Sequence, residues 1–217
     1  MCKSDGEQVL NGYRVYIALE KEWMEKLRKA HNDNPYTVED KLVENSKVCF
    51  IFSCPGREEL IHNELCYGKT GNNLNILLEM LKEEDSTIFP SDLKSGYNIA
   101  NASSIVHFEA LDNLPEAEDD EILEDSNLKK INDFLEGIKG LTHVILFGKK
   151  AQLLEDKIKH KANLKIIVSR HVGFKSLNHI AEDVHGDKIN KENYKTAEER
   201  TKARIEVVAK EIIDQIK

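Results

Sequence analysis

Val48–Leu81 reads VCFIFSCPGREELIHNELCYGKTGNNLNILLEML, and its order of residue types decides the fold. Val48–Ser53 is an apolar run of strand length, and Pro55-Gly56 turns the chain. Gly68 and Gly71 bracket a loop, after which Leu74, Leu77, Leu78 and Leu81 recur at helical spacing. A strand that hands over to a loop and then a helix builds a pocket at the strand's carboxyl end, where α/β proteins bind ligands. Backbone there approaches a substrate closely only where side chains are small. A site is therefore expected to begin at Ser53.

The alternation continues outward from this stretch. Before it, Ile17, Leu19, Trp23, Leu27 and Ala30 fit one face of an opening helix. After it, Tyr97–Val106 holds a second strand ending near Asn101, followed by an acidic segment and a helix through about Ile138. Thr142–Phe147 is a third strand, Ala151–Ile158 a helix led by Gly148, Leu164–Val168 a fourth strand, and Ser169–Lys175 a polar loop. Ile205, Val208, Ala209, Ile212, Ile213 and Ile216 repeat at threes and fours, the stripe of a core-facing closing helix. Strands separated by helices imply right-handed crossovers and a mostly parallel sheet covered on both faces. The expected fold class is α/β, three-layered. One domain over residues 1–217 is expected, with a motif-bearing core at about 46–180, a helical segment before it and a packing helix from about 195.

Composition fits one globular core: 40% of the 217 residues are hydrophobic and 32% charged. No apolar run approaches the roughly 20 residues needed to span a bilayer, and the first ten residues lack a signal peptide's apolar centre, so a cytoplasmic location without membrane contact is expected. Cys2, Cys49, Cys54 and Cys66 contain no C-x-x-C pair, which argues against a zinc ribbon or disulfide framework. Cys49 reads as core, while Cys54 and Cys66 flank the expected pocket. The net charge of −8 is unevenly spread: Lys149–Lys175 holds eight Lys/Arg against Glu155 and Asp156, enough for a basic face. Glu116–Asp125 holds seven carboxylates in ten residues and reads as a solvated loop or helix start.

Two phosphate-loop readings fail. Gly68-Lys69-Thr70 looks like the end of a Walker A loop, but the earlier glycine it requires falls at Asn63. Gly148-Lys149-Lys150 follows a strand without a glycine-rich lead and reads as a strand-to-helix turn.

Four pieces of the chain together resemble the uracil-DNA glycosylase superfamily. Ser53-Cys54-Pro55-Gly56-Arg57-Glu58-Glu59 resembles its first motif, and Tyr67-Gly68-Lys69-Thr70-Gly71-Asn72-Asn73-Leu74 its glycine-bracketed loop. Ile99-Ala100-Asn101-Ala102 resembles the strand whose Asn reads the base, and Ser169-Arg170-His171-Val172-Gly173 the second, His-bearing motif. The resemblance implies a four-stranded parallel sheet between helices, with a DNA groove at the strands' carboxyl edge and no cofactor. It implies a DNA glycosylase that flips a nucleotide out of the stack and hydrolyses its N-glycosidic bond. His171 would donate to the departing base's oxygen, and Asn101, donor and acceptor at once, would read the base edge. Pro55, Gly56, Gly68, Lys69, Gly71, Asn72, Lys149, Arg170, Gly173, Phe174 and Lys175 would face DNA, with Phe174 or Leu177 as a wedge into the vacated stack.

The chain departs from that pattern at two places. Where the family usually keeps a carboxylate or Asn to position water, Ser53 and Cys54 stand, and Glu58 and Glu59 are the nearest replacements. Where the family often stacks a ring on the base, Cys66 stands, with Tyr67 or Phe52 as substitutes. A smaller side chain there enlarges the pocket, so a bulky modified pyrimidine, such as the hypermodified cytosines of phage DNA, is the expected substrate, which would make the protein an antiviral factor. Uracil is the competing substrate, and a catalytically silent nucleic-acid or nucleotide-binding module is the competing role. Cysteine spacing does not fit an iron–sulfur cluster, so no metal is expected. The sequence leaves the oligomeric state open, with a monomer expected.

Overall fold

The computed structural model describes residues 21–159 and 163–217. Four strands, β1 (Val48–Phe52), β2 (Asn98–Asn101), β3 (His143–Phe147) and β4 (Lys165–Ser169), form one all-parallel sheet in the order β2-β1-β3-β4. Among the described residues the helices are α1 (21–33), α2 (Arg57–His62), α3 (Lys69–Glu84), α4 (Glu109–Asp112), α5 (Asp119–Ile122), α6 (Asp125–Gly137), α7 (Gly148–Gln152), α8 (Phe174–Leu177) and α9 (Ala197–Ile216).

Side chains alternate across a strand, and the two faces of this sheet feed separate cores. Phe50, Phe52, Ile99, Ile145, Phe147 and Ile167 join Leu74, Leu77, Leu78 and Leu81 of α3 and Ile205, Val208, Ile212 and Ile213 of α9. Cys49, Ile51, Ala100, Val144 and Leu146 join Ile131 and Leu135 of α6 and Ala151 of α7 on the other face. The result is a three-layer α/β sandwich. Each buried Leu or Ile in these stripes stabilises it by about 1.5–3 kcal/mol relative to exposure.

Topology positions the site. The chain leaves β1 through α3 on one face to reach β2, then returns through α6 on the other face to β3, on the far side of β1. Such a reversal leaves a crevice outside the carboxyl ends of the two strands that flank it, here β1 and β3.

Three expectations are corrected. The opening helix does not bury the expected face: Trp23 is 48% exposed and Ala30 is exposed, Leu27 packs on the core, and Ile17 and Leu19 lie outside the described residues. The buried position is instead His31, four residues after Leu27, which a polarity pattern counts as surface. The helix after β3 runs only over Gly148–Gln152, and turns carry the chain on to the buried Ile158. The described cations of 149–175 do not make one face. Lys165 opens β4 at the opposite edge of the sheet, with its Nζ on the Ile216 carbonyl, and Lys157 and Lys159 pair with Asp156 and Glu136.

Candidate functional site

A cleft of about 550 Å³ lies at the carboxyl edge, its walls built by the segments that follow β1, β2 and β4. Ser53, Cys54, Gly56, Glu59, Cys66 and Thr70 come from the opening stretch, His107, Pro115 and Glu116 from the connection after β2, and His171, Gly173, Phe174 and Lys175 from the segment after β4. Phe52 forms part of the floor, its ring stacked on Phe147 at 4.9 Å and edge-on to His171 at 5.5 Å. A second hollow of about 600 Å³ adjoins the first, sharing Ser53, Glu116, His171, Lys175 and Ser176, and adds Lys149, Lys150 and Arg170. The two make one groove.

His171 is held from three sides. The Gly173 amide donates to its Nδ1 at 2.8 Å, so the neutral ring carries its proton on Nε2. A Cβ on Gly173 would lie 2.7 Å from that Nδ1, and a Cβ on Gly148, whose φ is +84°, would lie 3.1 Å from the His171 Cβ. Gly173 is therefore set by the imidazole it touches, and Gly148 by its left-handed backbone, with His171 close beside it. Burial pushes the His171 pKa down to about 4, which keeps the ring neutral at physiological pH.

Glu59 holds the loop in shape. Its Oε2 accepts from the Gly56 amide at 2.7 Å and its Oε1 from the Cys66 amide at 2.6 Å, tying the turn after β1 to the loop before α3. Burial raises its pKa, while those two amides oppose the rise. Cys66 sits in the left-handed region at φ 53°, and its carbonyl oxygen lies 1.8 Å from where a Gly71 Cβ would be. Glycine at 71 is thus dictated by close backbone packing. Burial pushes the Cys54 thiol up to about 11 and the Cys66 thiol well above its usual value, so both stay protonated and are poor nucleophiles.

The expected site residues are only partly brought together. Phe52, Ser53, Cys54, Gly56, Glu59, Cys66, His171, Gly173, Phe174 and Lys175 line the cleft, and Lys149 and Arg170 line the adjoining hollow. Glu58 is exposed and lies outside both hollows. Tyr67 stacks on His62 with centroids 3.7 Å apart, outside the cleft. Asn101 closes β2 with 2% exposure, lines neither hollow, finds no partner for its Nδ2 among the described residues, and its backbone amide donates to Asp40. Pro55 is buried and accepts from the His107 amide, while Gly68 caps α3 and Gly71 and Asn72 lie within its first turn. Lys69 reaches over the ring of Phe174, with its Nζ 5.8 Å from the centroid. Of the two wedge candidates, Leu177 is buried and Phe174 is 64% exposed. Arg170 is bound to Glu211 of α9 through Nε and a terminal nitrogen.

One cluster was invisible in the sequence. The His107 ring places Nδ1 2.5 Å from Asp112 and Nε2 2.8 Å from Glu121, and Glu121 also accepts from the Ser103 hydroxyl. Burial, the largest single influence, pulls the His107 pKa down, but Glu121 and Asp112 together outweigh it and the net shift is upward. The acidic segment is thus a helix start, as expected, but not wholly solvated, since Glu121 turns inward onto His107. Asp112 ends α4, Glu121 lies in α5 and His107 precedes both, so no single regular spacing reveals the pairing.

Among the described residues no helix is long and apolar enough to cross a membrane, and no group of three or more His, Cys, Asp or Glu side chains is placed to hold a metal ion. No protein-family model matches the chain, and no curated protein matches it in sequence.

Proposed function

We propose that the chain is a DNA glycosylase related to the uracil-DNA glycosylase superfamily, acting on a pyrimidine nucleotide drawn into the cleft. One observation carries the reading. His171 is a neutral imidazole whose Nδ1 is taken by the Gly173 amide, which leaves Nε2–H as its donor at a cleft between strand ends. As the glycosidic bond breaks, negative charge grows on the base's oxygen, and a fixed neutral donor stabilises it without first having to lose or gain a proton. A volume of about 550 Å³ is in the range of small-molecule sites and admits a nucleotide. A thiol at Cys66 in place of a ring favours a pyrimidine with a bulky substituent over uracil.

A second reading, a silent nucleic-acid-binding module, is favoured by one specific observation: the Asn101 amide lies outside the cleft. Oligonucleotides carrying uracil, hydroxymethylcytosine and glucosylated hydroxymethylcytosine separate the two. Excision leaves an alkali-labile abasic site. Its appearance with any of the three, and its loss in His171→Ala, supports the glycosylase. Tight binding with no abasic site on any of them sinks it and favours the module.

A further inference from the structure

We infer that Glu116 takes the proton of the attacking water, a role that rests on the glycosylase reading above. Every other carboxylate around the cleft is already engaged. Glu59 spends both oxygens on the Gly56 and Cys66 amides. Glu121 accepts from Ser103 and faces His107, while Asp112 holds the Leu114 amide and the other nitrogen of His107. Glu116 makes no hydrogen bond or salt bridge among the described residues, and it lines both hollows together with Ser53 and His171.

The segment bearing Glu116 is exposed at Pro115 and Glu116 and held from the Ala117 side. Pro115 before it lines the cleft, and Ala117 after it is buried in the second core. Cys54 packs against that same core, which sets the segment beside the first motif. A carboxylate is thereby supplied from the connection after β2, where Ser53 offers only a hydroxyl. Ser53 Oγ lies 3.9 Å from Cys54 Sγ and can orient a water without accepting its proton at neutral pH.

The step balances as a hydrolysis. The bond from C1′ to the base nitrogen breaks, and its electron pair leaves with the base, whose oxygen is held by His171 Nε2–H. The water oxygen bonds to C1′, and the water proton passes to the Glu116 carboxylate, which returns it to the departed base or to solvent. No oxidant, reductant or metal enters.

Single-turnover excision on the oligonucleotide that the wild type cleaves tests this role, with binding measured on the same duplex. Glu116→Gln is expected to slow excision by about 100-fold or more, the lower end of general-base contributions, with Kd unchanged within about 3-fold. Added formate is expected to restore part of the rate to Glu116→Ala, because a small carboxylate fits the vacated space, while Asp120→Asn keeps the wild-type rate. A Glu116→Gln enzyme that excises at the wild-type rate overturns the inference and leaves the glycosylase reading standing. A wild type that excises none of the three bases overturns that reading, and this role with it.

Discussion

At the scale of single residues, His171 shows how a motif becomes chemistry through its surroundings. The sequence marks the residue, but its tautomer and protonation come from the Gly173 amide and from burial. Its folded pKa of about 4 lies below the unfolded value near 6.5, so the unfolded chain binds the extra proton between those limits. Stability from this group is therefore full above about pH 6.5 and is lost as pH falls toward 4, by an amount on the order of 3 kcal/mol. Urea midpoints measured from pH 8 to pH 4 should fall through that window, and His171→Gln should flatten the fall. By the same argument excision should show no break near pH 6.5, where an ordinary His titrates. Gly173→Ala puts a methyl 2.7 Å from Nδ1 and must displace the ring. Its expected cost is about 1–3 kcal/mol in stability, with a larger proportional loss of activity. Glu116 and Asn101 mark the limit of reading by motif: an unremarkable acid lines the groove, and the Asn that the resemblance selects does not.

At the scale of elements, the passage from β1 to α3 is a single unit. Cys66 adopts a left-handed backbone, Glu59 clamps its amide, and its carbonyl occupies the space a Gly71 side chain would need. Gly71→Ala therefore cannot be accommodated by a side-chain shift. It should destabilise the fold by about 2 kcal/mol or more in denaturant titration, although Ala outranks Gly as a helix former. Glu59→Gln retains only one acceptor for two amides and should loosen the same loop, read as faster amide exchange at Gly56 and Cys66. The α3 and α9 stripes were legible because 3.6-residue spacing survives any tertiary arrangement; Leu78→Ala should cost about 2–5 kcal/mol. The shortness of α7 was not legible. Its sequence keeps helical spacing through Ala151, Leu154 and Ile158, all three buried, and nothing local marks the break.

At the scale of the whole molecule, charge is distributed by folding rather than by sequence. Of the eight cations in 149–175, Lys149 and Lys175 line the groove without a salt bridge among the described residues, while Lys150 and Arg170 line it already paired to Asp119 and Glu211. With two of the four described cations of 149–175 that line the groove already paired, and a net charge of −8, DNA affinity should be modest and should fall with salt. Lys149→Ala and Lys175→Ala should each reduce the slope of log Kd against log salt by about 1, with little change in base preference. The α/β class, the strand order along the chain, the leucine and isoleucine stripes, and the strand-end position of the opening motif were determined by the sequence alone, because hydrophobic period and glycine placement are local properties. Tertiary structure alone decided which polar groups meet: His107 with Asp112 and Glu121, the Glu59 clamp, the withdrawal of Asn101, and the exposure of Glu116 at the groove. His107, Asp112 and Glu121 share the connection after β2, and Glu59 meets Gly56 and Cys66 within the passage from β1 to α3, so it is the packing of those loops on the sheet's carboxyl edge that makes each contact.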